Sequence, residues 1–400
     1  MRCNKPVMAK PHSDNVNLLF TAVAGATAMA AAMGFGRFSF TPILPGMITG
    51  LPLSAGDAGL IAAGNFCGYL AGAVLSAYGW AAGRERMITL GSLLATSVLL
   101  AAMAMSSNVV AFIAIRFLAG IASAFIMVFV SSVVLGYAAA RGNDHVPSAH
   151  FGGVGIGIAT SSMMVALIAA YAPETSQAWR VDWLVGALLT FLMLLIVWVL
   201  LPVSPPRAAR PVIEPKLVWR RPLVLIMASY GLFGFGYVIT ATFIVAMARM
   251  GQAGQTIEFL TWFLTGCTGA VSIFVWRPVM LKVGLASVYV AGLLVEAAGV
   301  LASVVLPLPL APLVGGMLLG ATFIMITAYG LRIGRLLAPE SPRRALAFMT
   351  AAFGIGQIAG PLVAGAVAER TGSFVLPSLL AVAALLASVL LVLPVYRRIP

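Results

Sequence analysis

Charged side chains are scarce in this sequence. Lys, Arg, Asp and Glu make up only 9% of the 400 residues, whereas an average soluble domain contains about 25%. Hydrophobic residues make up 61% of the chain, and its mean hydropathy is +1.05. A water-soluble protein of this length could not cover its surface with so few charges. Most of the surface of this protein must therefore face lipid. The composition predicts a membrane protein with many spanning helices.

Cysteine and the common catalytic motifs are also missing or rare. The three cysteines, Cys3, Cys67 and Cys267, are odd in number and lack metal-ligand spacing, which excludes a disulfide framework and gives no zinc site. The chain contains no H-E-x-x-H, no phosphate-binding loop and no nucleophile elbow. We therefore expect no metal, no cofactor and no enzymatic activity.

Long apolar runs are what the sequence has in abundance. Runs of roughly 20 residues or more predict twelve spanning helices. They lie near residues 16–48, 55–79, 87–106, 108–138, 149–172, 180–202, 222–249, 256–281, 284–306, 311–336, 344–369 and 374–395. The start of the first run resembles a secretory signal peptide, but the run continues well beyond the roughly 7–15 apolar residues of such a signal. We therefore expect an uncleaved first helix.

The basic residues indicate the topology. The chain carries 24 Lys and Arg against 11 Asp and Glu, a net charge of +13, which by itself could suggest nucleic acid. With both termini placed in the cytoplasm, nineteen of the 24 fall on the cytoplasmic side. Arg180, Arg249 and Arg370 fall outside, and Arg37 and Arg116 lie within spans. Such a bias is expected for an even number of spans, so we expect no nucleic-acid partner.

The chain contains a repeat with an offset of 200 residues, which indicates duplication. The matching positions are Gly34-Phe35-Gly36 with Gly234-Phe235-Gly236, Cys67 with Cys267, and Gly120 with Gly320. A stretch rich in proline and basic residues separates the two copies. The predicted organisation is a cytoplasmic tail at 1–15, a six-helix bundle at 16–202, a cytoplasmic linker at 203–221, a second six-helix bundle at 222–395 and a tail at 396–400. Parallel repeats of this kind suit a transporter.

Five stretches carry a family resemblance. They are "GFGRFSFTPILP", "NFCGYLAGA", "GFGYVITATF", "GATFIMIT" and "FGIGQIAGP". With the helix count and the short linker, they make the chain similar to the major facilitator superfamily, and more narrowly to its YbfB/YjiJ-like branch. The resemblance implies an all-α membrane protein of twelve transmembrane helices in two pseudo-symmetric halves. It also implies secondary transport by alternating access in the bacterial inner membrane, with the first, fourth, seventh and tenth helices lining a cavity.

The sequence also departs from the superfamily pattern. In the predicted gating loop "GWAAGRER", Gly83, Arg84 and Arg86 are kept, but Trp80-Ala81 stand where Asp-Arg is usual. A gate latch built on that aspartate is therefore not expected. The fifth span has "GGVGIG" without the Gly-Pro typical of drug/proton antiporters, which argues against drug efflux.

Arg37 and Arg116 are the first candidates for a substrate site. An arginine at mid-membrane costs about 2.5–3.5 kcal/mol on insertion scales, so each must face the bundle interior or water. Both are expected about 12–15 Å below the outer surface. A planar guanidinium suits a two-oxygen anion, so we predict that Arg37 binds a small organic anion, most simply a carboxylate. A structural hydrogen bond is the alternative for both arginines.

Other polar residues within the spans complete the predicted site. Tyr237 occupies the position in the second half that Arg37 occupies in the first. The remaining substrate candidates are Asn65, Tyr69 and Gln357. Hydrogen bonds between helices would explain these groups equally well.

Glu296 is a candidate for proton coupling. It lies roughly 18 Å into the ninth span, where a carboxyl group is expected to be largely neutral, as a proton carrier must be. A protonated structural role is the alternative. Asp57 and Glu258, near the outer ends of the second and eighth spans, are the next candidates.

The sequence as a whole predicts a monomeric secondary transporter of a small organic anion, coupled to protons. Efflux of amphipathic or cationic compounds is one alternative. A non-transporting membrane receptor or scaffold with the same fold is the other.

Overall fold

The computed structural model describes residues 11–78, 80–142, 145–171, 177–202 and 214–399, with side chains from residue 18 onward. Within these ranges, twelve helices are long and apolar enough to cross a membrane, which confirms the predicted number. Residues 1–10 of the predicted tail at 1–15, and most of the predicted linker at 203–221, lie outside the described residues.

The first helix, α1, consists of three consecutive segments, Pro11–Met29, Ala30–Phe38 and Phe40–Gly50. The next five are α2 (Ala55–Ser76), α3 (Glu85–Ala104), α4 (Val109–Ala140), α5 (His145–Tyr171) and α6 (Ala178–Leu200). The second half contains α7 (Arg221–Met250), α8 (Gln255–Val283), α9 (Leu285–Val305), α10 (Leu310–Leu337), α11 (Pro342–Thr371) and α12 (Val375–Val392). A short 3₁₀ turn, Leu393–Arg398, follows α12.

Polar caps define where two of the helices begin. Ser54 Oγ accepts a hydrogen bond from the Asp57 amide, and the Asp57 carboxylate accepts one from the Ser54 amide, each at 3.0 Å. Asn108 Oδ1 accepts from the amides of Val110 and Ala111. Both arrangements satisfy amides at a helix N-terminus that lack partners within the helix. Asp57, a reserve candidate for proton coupling, therefore has a structural partner at the start of α2.

The two halves meet where small residues allow helix backbones to approach closely. α2 packs against α11, and α5 packs against α8. A Cβ atom built on Gly155 would lie 2.1 Å from the Ala270 amide nitrogen, and one on Gly59 would lie 2.4 Å from the Pro361 carbonyl oxygen. Close packing of small residues is a main source of attraction between helices in lipid, so these contacts hold the halves together.

The contacts between the halves differ on the two sides of the bundle. We call the side that carries residues 214–220 the linker side and the opposite side the far side. Toward the far side, Thr41 Oγ1 donates to the Ala241 carbonyl at 2.7 Å, and Ser162 Oγ donates to the Phe259 carbonyl at 2.9 Å. By contrast, α4 and α10, which end on the linker side, make no extensive contact with each other over their described residues. Contact between the halves is therefore more extensive on the far side than between α4 and α10 on the linker side.

Candidate substrate-binding site

The middle of α1 departs from α-helical geometry. Ala30–Phe38 is wound as a π-helix, and all nine of its residues are buried. Gly34 packs so closely on α5 that an added Cβ would lie 2.3 Å from the Gly157 Cα. π-Helical segments shift the hydrogen-bond pattern of a helix and occur frequently at functional sites. This segment contains Arg37, so the irregular backbone lies where the sequence predicts the substrate contact.

Two side chains of α4 hold this segment. Arg116 donates from Nη1 to the Gly36 carbonyl at 2.9 Å and from Nη2 to the Arg37 carbonyl at 2.6 Å. Ser123 Oγ donates to the Ala32 carbonyl at 2.9 Å. Arg116 is only 2% exposed, and both of its terminal nitrogens are occupied by backbone oxygens. Its contacts in this structure therefore support α1.

Asn65 extends the support to α2. Its Nδ2 donates to the Arg116 carbonyl at 3.0 Å. Next to it, a Cβ on Gly120 would lie 2.1 Å from the Asn65 carbonyl oxygen, so glycine is needed where α4 crosses α2. Asn65 and Arg116 thus form one chain of contacts running from α2 through α4 to α1.

Arg37 has a different environment. Its guanidinium carbon lies 4.2 Å from the centre of the Tyr69 ring, 4.7 Å from that of Phe66 and 5.5 Å from that of Phe38. The side chain is 4% exposed, and its Nε has no hydrogen-bond partner. Among the residues that the structure describes, the ion pairs do not include Arg37. Aromatic faces stabilise this cation, while one of its donors is left free.

Arg37 also reaches across to the second half. Its Nη2 donates to Gln357 Oε1 on α11 at 2.7 Å. The Gln357 Nε2 in turn donates to the Tyr237 hydroxyl on α7. The structure therefore brings together four of the six predicted substrate residues, namely Arg37, Tyr69, Tyr237 and Gln357. These side chains form a polar bridge between the halves.

Around this bridge lie aromatic rings that the sequence interpretation did not include. The Tyr237 ring is nearly parallel to those of Phe323 on α10 and Phe353 on α11, with angles of 8° and 3° and centroid distances of 5.9 and 5.7 Å. Phe233 stacks on Tyr237 at 5.0 Å. Phe323 and Phe353 do belong to the motif stretches "GATFIMIT" and "FGIGQIAGP". Phenylalanine is equally common on lipid-facing surfaces, so the motifs alone did not assign these rings to the site.

Glu296 lies apart from the Arg37 bridge, where α9 packs against α10. It is fully buried, and its carboxyl group contacts the Thr322 hydroxyl. The same hydroxyl lies 2.7 Å from the Leu318 carbonyl oxygen, which can only accept. A hydroxyl has one hydrogen to donate, so if it goes to Leu318, a protonated Glu296 must donate to Thr322. This arrangement suits a neutral carboxyl group.

A second buried acid, Asp182 on α6, was missed. It is 6% exposed, and its Oδ1 has no hydrogen-bond partner. It lies next to the start of the predicted span 180–202, where an acidic residue is unremarkable. Of the reserve candidates for proton coupling, Glu258 is held in an ion pair with Arg249 at 2.5 Å.

The predicted gating loop is anchored within the first half. Arg86 donates from Nε to the Leu201 carbonyl at 3.0 Å and from Nη2 to the Trp198 carbonyl at 2.6 Å. Trp80 packs edge-on against Phe125 and Phe129 of α4. Gly83 adopts a φ of +77° that favours glycine, and Arg84 follows it at the start of α3.

Comparison with solved structures finds the same fold in transporters. The crystal structure of the nucleoside transporter NupG superposes with a TM-score of 0.68 and 14% identity, covering 95% of this chain and 98% of that one. A bacterial homologue of the human lysosomal transporter Spinster, in an inward-facing and unoccupied conformation, has a TM-score of 0.67 and 13% identity over 98% of both chains. At these identities the likeness shows the fold alone.

Comparison of the sequence with curated proteins finds no match. The family model described as "Uncharacterised MFS-type transporter YbfB" matches residues 29–393. This match covers nearly the whole chain, including the π-helical segment and the aromatic rings around Arg37. The chain therefore belongs to the YbfB-type family of MFS transporters.

Proposed function

We propose that this chain is a secondary transporter that carries a small organic anion, most simply a carboxylate, across the membrane by alternating access. The observation that supports this most is the Arg37 guanidinium, which is buried in a span without an acidic partner among the described residues. A cation in this position carries a large solvation cost. A negatively charged substrate that visits the site would offset that cost.

The donors around Arg37 favour a two-oxygen anion. Nε and Nη2 form one edge of a guanidinium, and carboxylates bind such an edge with two parallel hydrogen bonds. On Arg37, Nε is free, and the Gln357 carboxamide oxygen occupies Nη2 at 2.7 Å. A carboxylate can displace the Gln357 oxygen and accept from both nitrogens. Trp262 Nε1 is a further buried donor without a partner, on a ring whose centroid lies 6.4 Å from that of Phe38.

The same exchange offers a way to couple binding to movement. Arg37 belongs to the first half, whereas Gln357 and Tyr237 belong to the second. In this structure, one direct hydrogen bond joins the guanidinium to Gln357. A bound anion would replace that bond and place its own contacts between the halves. A ligand shifts a conformational equilibrium only when it contacts the two states differently, and a site shared by both halves meets that requirement.

The transporter also needs an orientation in the membrane and an ion to drive it. The basic residues favour placing both termini and the linker on the cytoplasmic side of a bacterial inner membrane, so the linker side of the bundle would face the cytoplasm. The proposed transporter is a monomer that couples substrate movement to protons. Glu296 is the first candidate for carrying the proton, because a buried carboxyl group without a cation can gain and lose one during the cycle. Asp182 is the second candidate.

The test is ligand binding to the purified full chain, measured as thermal stabilisation against a panel of small carboxylates and matched amines. We expect carboxylates to stabilise the protein, because a ligand stabilises the state that it binds. Arg37→Ala should abolish this stabilisation, and Arg37→Lys should weaken it less, since lysine keeps the charge but lacks the planar fork. Arg332→Ala, at an exposed arginine on α10, is the matched control and should bind normally.

Efflux of amphipathic or cationic compounds is the competing function, and the aromatic rings favour it because their faces also bind cations. On that hypothesis Arg37 is structural. Amines would then stabilise the protein, and their binding would persist in a folded Arg37→Ala variant. That result would overturn the anion proposal.

A further inference from the structure

The rings beside Arg37 share one orientation. Phe323, Tyr237 and Phe353 come from three different helices, yet their planes lie within 8° and 3° of parallel. Phe233 and Phe353 are also stacked, with an angle of 25° and a centroid distance of 5.6 Å. We call Phe233, Tyr237, Phe323 and Phe353 the aromatic wall. A flat molecule that stacks on one ring of this wall is therefore close to parallel with the others.

The wall lies directly beside the anion-binding edge of Arg37. Gln357 connects the guanidinium to the Tyr237 hydroxyl through two successive hydrogen bonds. On the other side, the Phe38 ring lies 5.5 Å from the guanidinium carbon and contacts Phe323 edge-on at 5.9 Å. A carboxylate that takes the place of Gln357 at Arg37 would therefore have its attached group against the wall.

The site offers one guanidinium edge that a carboxylate can occupy in full. Arg116 lies nearby, but both of its terminal nitrogens donate to the Gly36 and Arg37 carbonyls, which leaves only its Nε without a partner. A ligand with two negative charges would leave the second one buried without a second open guanidinium edge to bind it, which is costly. The charge of the site thus matches a ligand with a single carboxylate.

From these observations we infer that the substrate is a planar aromatic monocarboxylate. Its carboxylate accepts from Arg37, and its ring stacks on the aromatic wall. This inference rests on the proposed function, which requires only an organic anion. The inference adds that the uncharged part of the substrate is a flat ring and that the substrate carries a single negative charge.

Isothermal titration of the purified full chain at neutral pH tests the inference with four probes. Benzoate is the reference, and cyclohexanecarboxylate keeps the charge and the approximate size but loses the flat ring. Benzamide keeps the ring without the charge, and terephthalate adds a second carboxylate. We expect benzoate to bind about threefold to tenfold more tightly than cyclohexanecarboxylate. A wall that acted only through hydrophobic burial would favour cyclohexanecarboxylate, which is the more hydrophobic of the two. Benzamide and terephthalate should bind much more weakly than benzoate.

A pair of variants tests the wall itself. Phe353→Leu removes one of its rings, and Phe374→Leu removes a ring of matched exposure, 6% against 7%, that packs on Phe243 away from the site. The ratio of the dissociation constants of cyclohexanecarboxylate and benzoate should fall toward one in Phe353→Leu. It should be unchanged in Phe374→Leu. The comparison of ligands on the unaltered chain stands even when a variant fails to fold.

Each contrary outcome has a distinct meaning. Equal binding of benzoate and cyclohexanecarboxylate, with both lost in Arg37→Ala, would overturn the aromatic inference and leave the proposed function intact. Tighter binding of terephthalate than of benzoate would overturn the single-charge part. If neither carboxylate binds, or if binding is unchanged in Arg37→Ala, the inference and the proposed function both fail.

Discussion

Arg37 and Arg116 are buried arginines of the same half, yet their hydrogen bonds differ. Arg116 donates from both terminal nitrogens to backbone carbonyls of α1, whereas Arg37 donates to a side chain of the other half. The Nε of each lacks a partner. Removing a buried donor leaves its acceptors unsatisfied, at a cost of roughly 1–3 kcal/mol per group. The two arginines should therefore respond differently to substitution.

Arg116→Ala should lower the thermal stability of the purified protein in the absence of ligand. It leaves the Gly36 and Arg37 carbonyls without their partners, and the expected loss is a few kcal/mol. Arg37→Ala should change stability much less while abolishing ligand binding. The measurement is the unfolding temperature in detergent, with Arg332→Ala as the control. An Arg116→Ala variant of normal stability that has lost binding would indicate instead that Arg116 contacts the substrate.

Glu296 and Asp182 are the two candidates for carrying the coupled proton, and substitution of each distinguishes them. If Glu296 is the carrier, Glu296→Gln in proteoliposomes should abolish accumulation driven by a pH gradient and spare exchange of substrate across the membrane. Asp182→Asn should then keep gradient-driven accumulation. The reverse pattern would assign the proton to Asp182. Normal pH dependence in both variants would assign Glu296 a structural role through its contact with Thr322.

At the scale of the helix, the π-helical segment depends on small residues in a neighbouring helix. Gly34 and Gly157 bring α1 and α5 so close that neither position has room for a Cβ atom. Backbone contact of this kind replaces the hydrophobic driving force that is absent between helices in lipid. The orientation of Arg37 at the end of this segment therefore depends on the crossing with α5.

Gly34→Ala should destabilise the protein and weaken ligand binding together, because α1 must move away from α5. The added Cβ would meet the Gly157 Cα at 2.3 Å, which is backbone and cannot rotate away. Gly91→Ala is the control, since a Cβ there meets nothing within 4 Å; alanine also favours the helix by about 1 kcal/mol. Unfolding temperature and carboxylate binding of both variants give the comparison. A Gly34→Ala protein that matched the parent in both would show that the crossing tolerates separation.

For the whole molecule, the arrangement of the two halves decides which side of the site is accessible. Contacts across the far side join α1 to α7 and α5 to α8, while α4 and α10 make no extensive contact over their described residues on the linker side. The structure fixes this asymmetry relative to the linker. The positive-inside distribution of Lys and Arg relates it to the two faces of the membrane.

Labelling of single cysteines in intact cells tests the orientation. In a chain with its natural cysteines replaced by serine, Lys216→Cys on the linker side should react only with a membrane-permeant reagent. Gln252→Cys, exposed on the far side, should react with an impermeant one. Labelling of Lys216→Cys by the impermeant reagent would place the linker outside and reverse the proposed orientation.

The sequence by itself determined the number of helices, their approximate ends, the repeat and the presence of an arginine within a span. These properties follow from local transfer free energies, because twenty apolar residues favour lipid whatever they pack against. Each described helix end lies within a few residues of its predicted position. The predicted importance of Arg37, Tyr69, Tyr237 and Gln357 came from motif resemblance together with the cost of burying polar groups.

Only the tertiary structure decided the partners of those groups. Arg37 and Gln357 are 320 residues apart in the chain, and nothing local to either specifies the other. The carbonyls that Arg116 contacts belong to another helix, at the end of the π-helical segment of α1. The burial of Asp182 also depends on the helices packed around α6. The parallel aromatic wall is likewise assembled from α7, α10 and α11. Contacts of this kind depend on how helices cross, which the hydropathy of each helix does not specify.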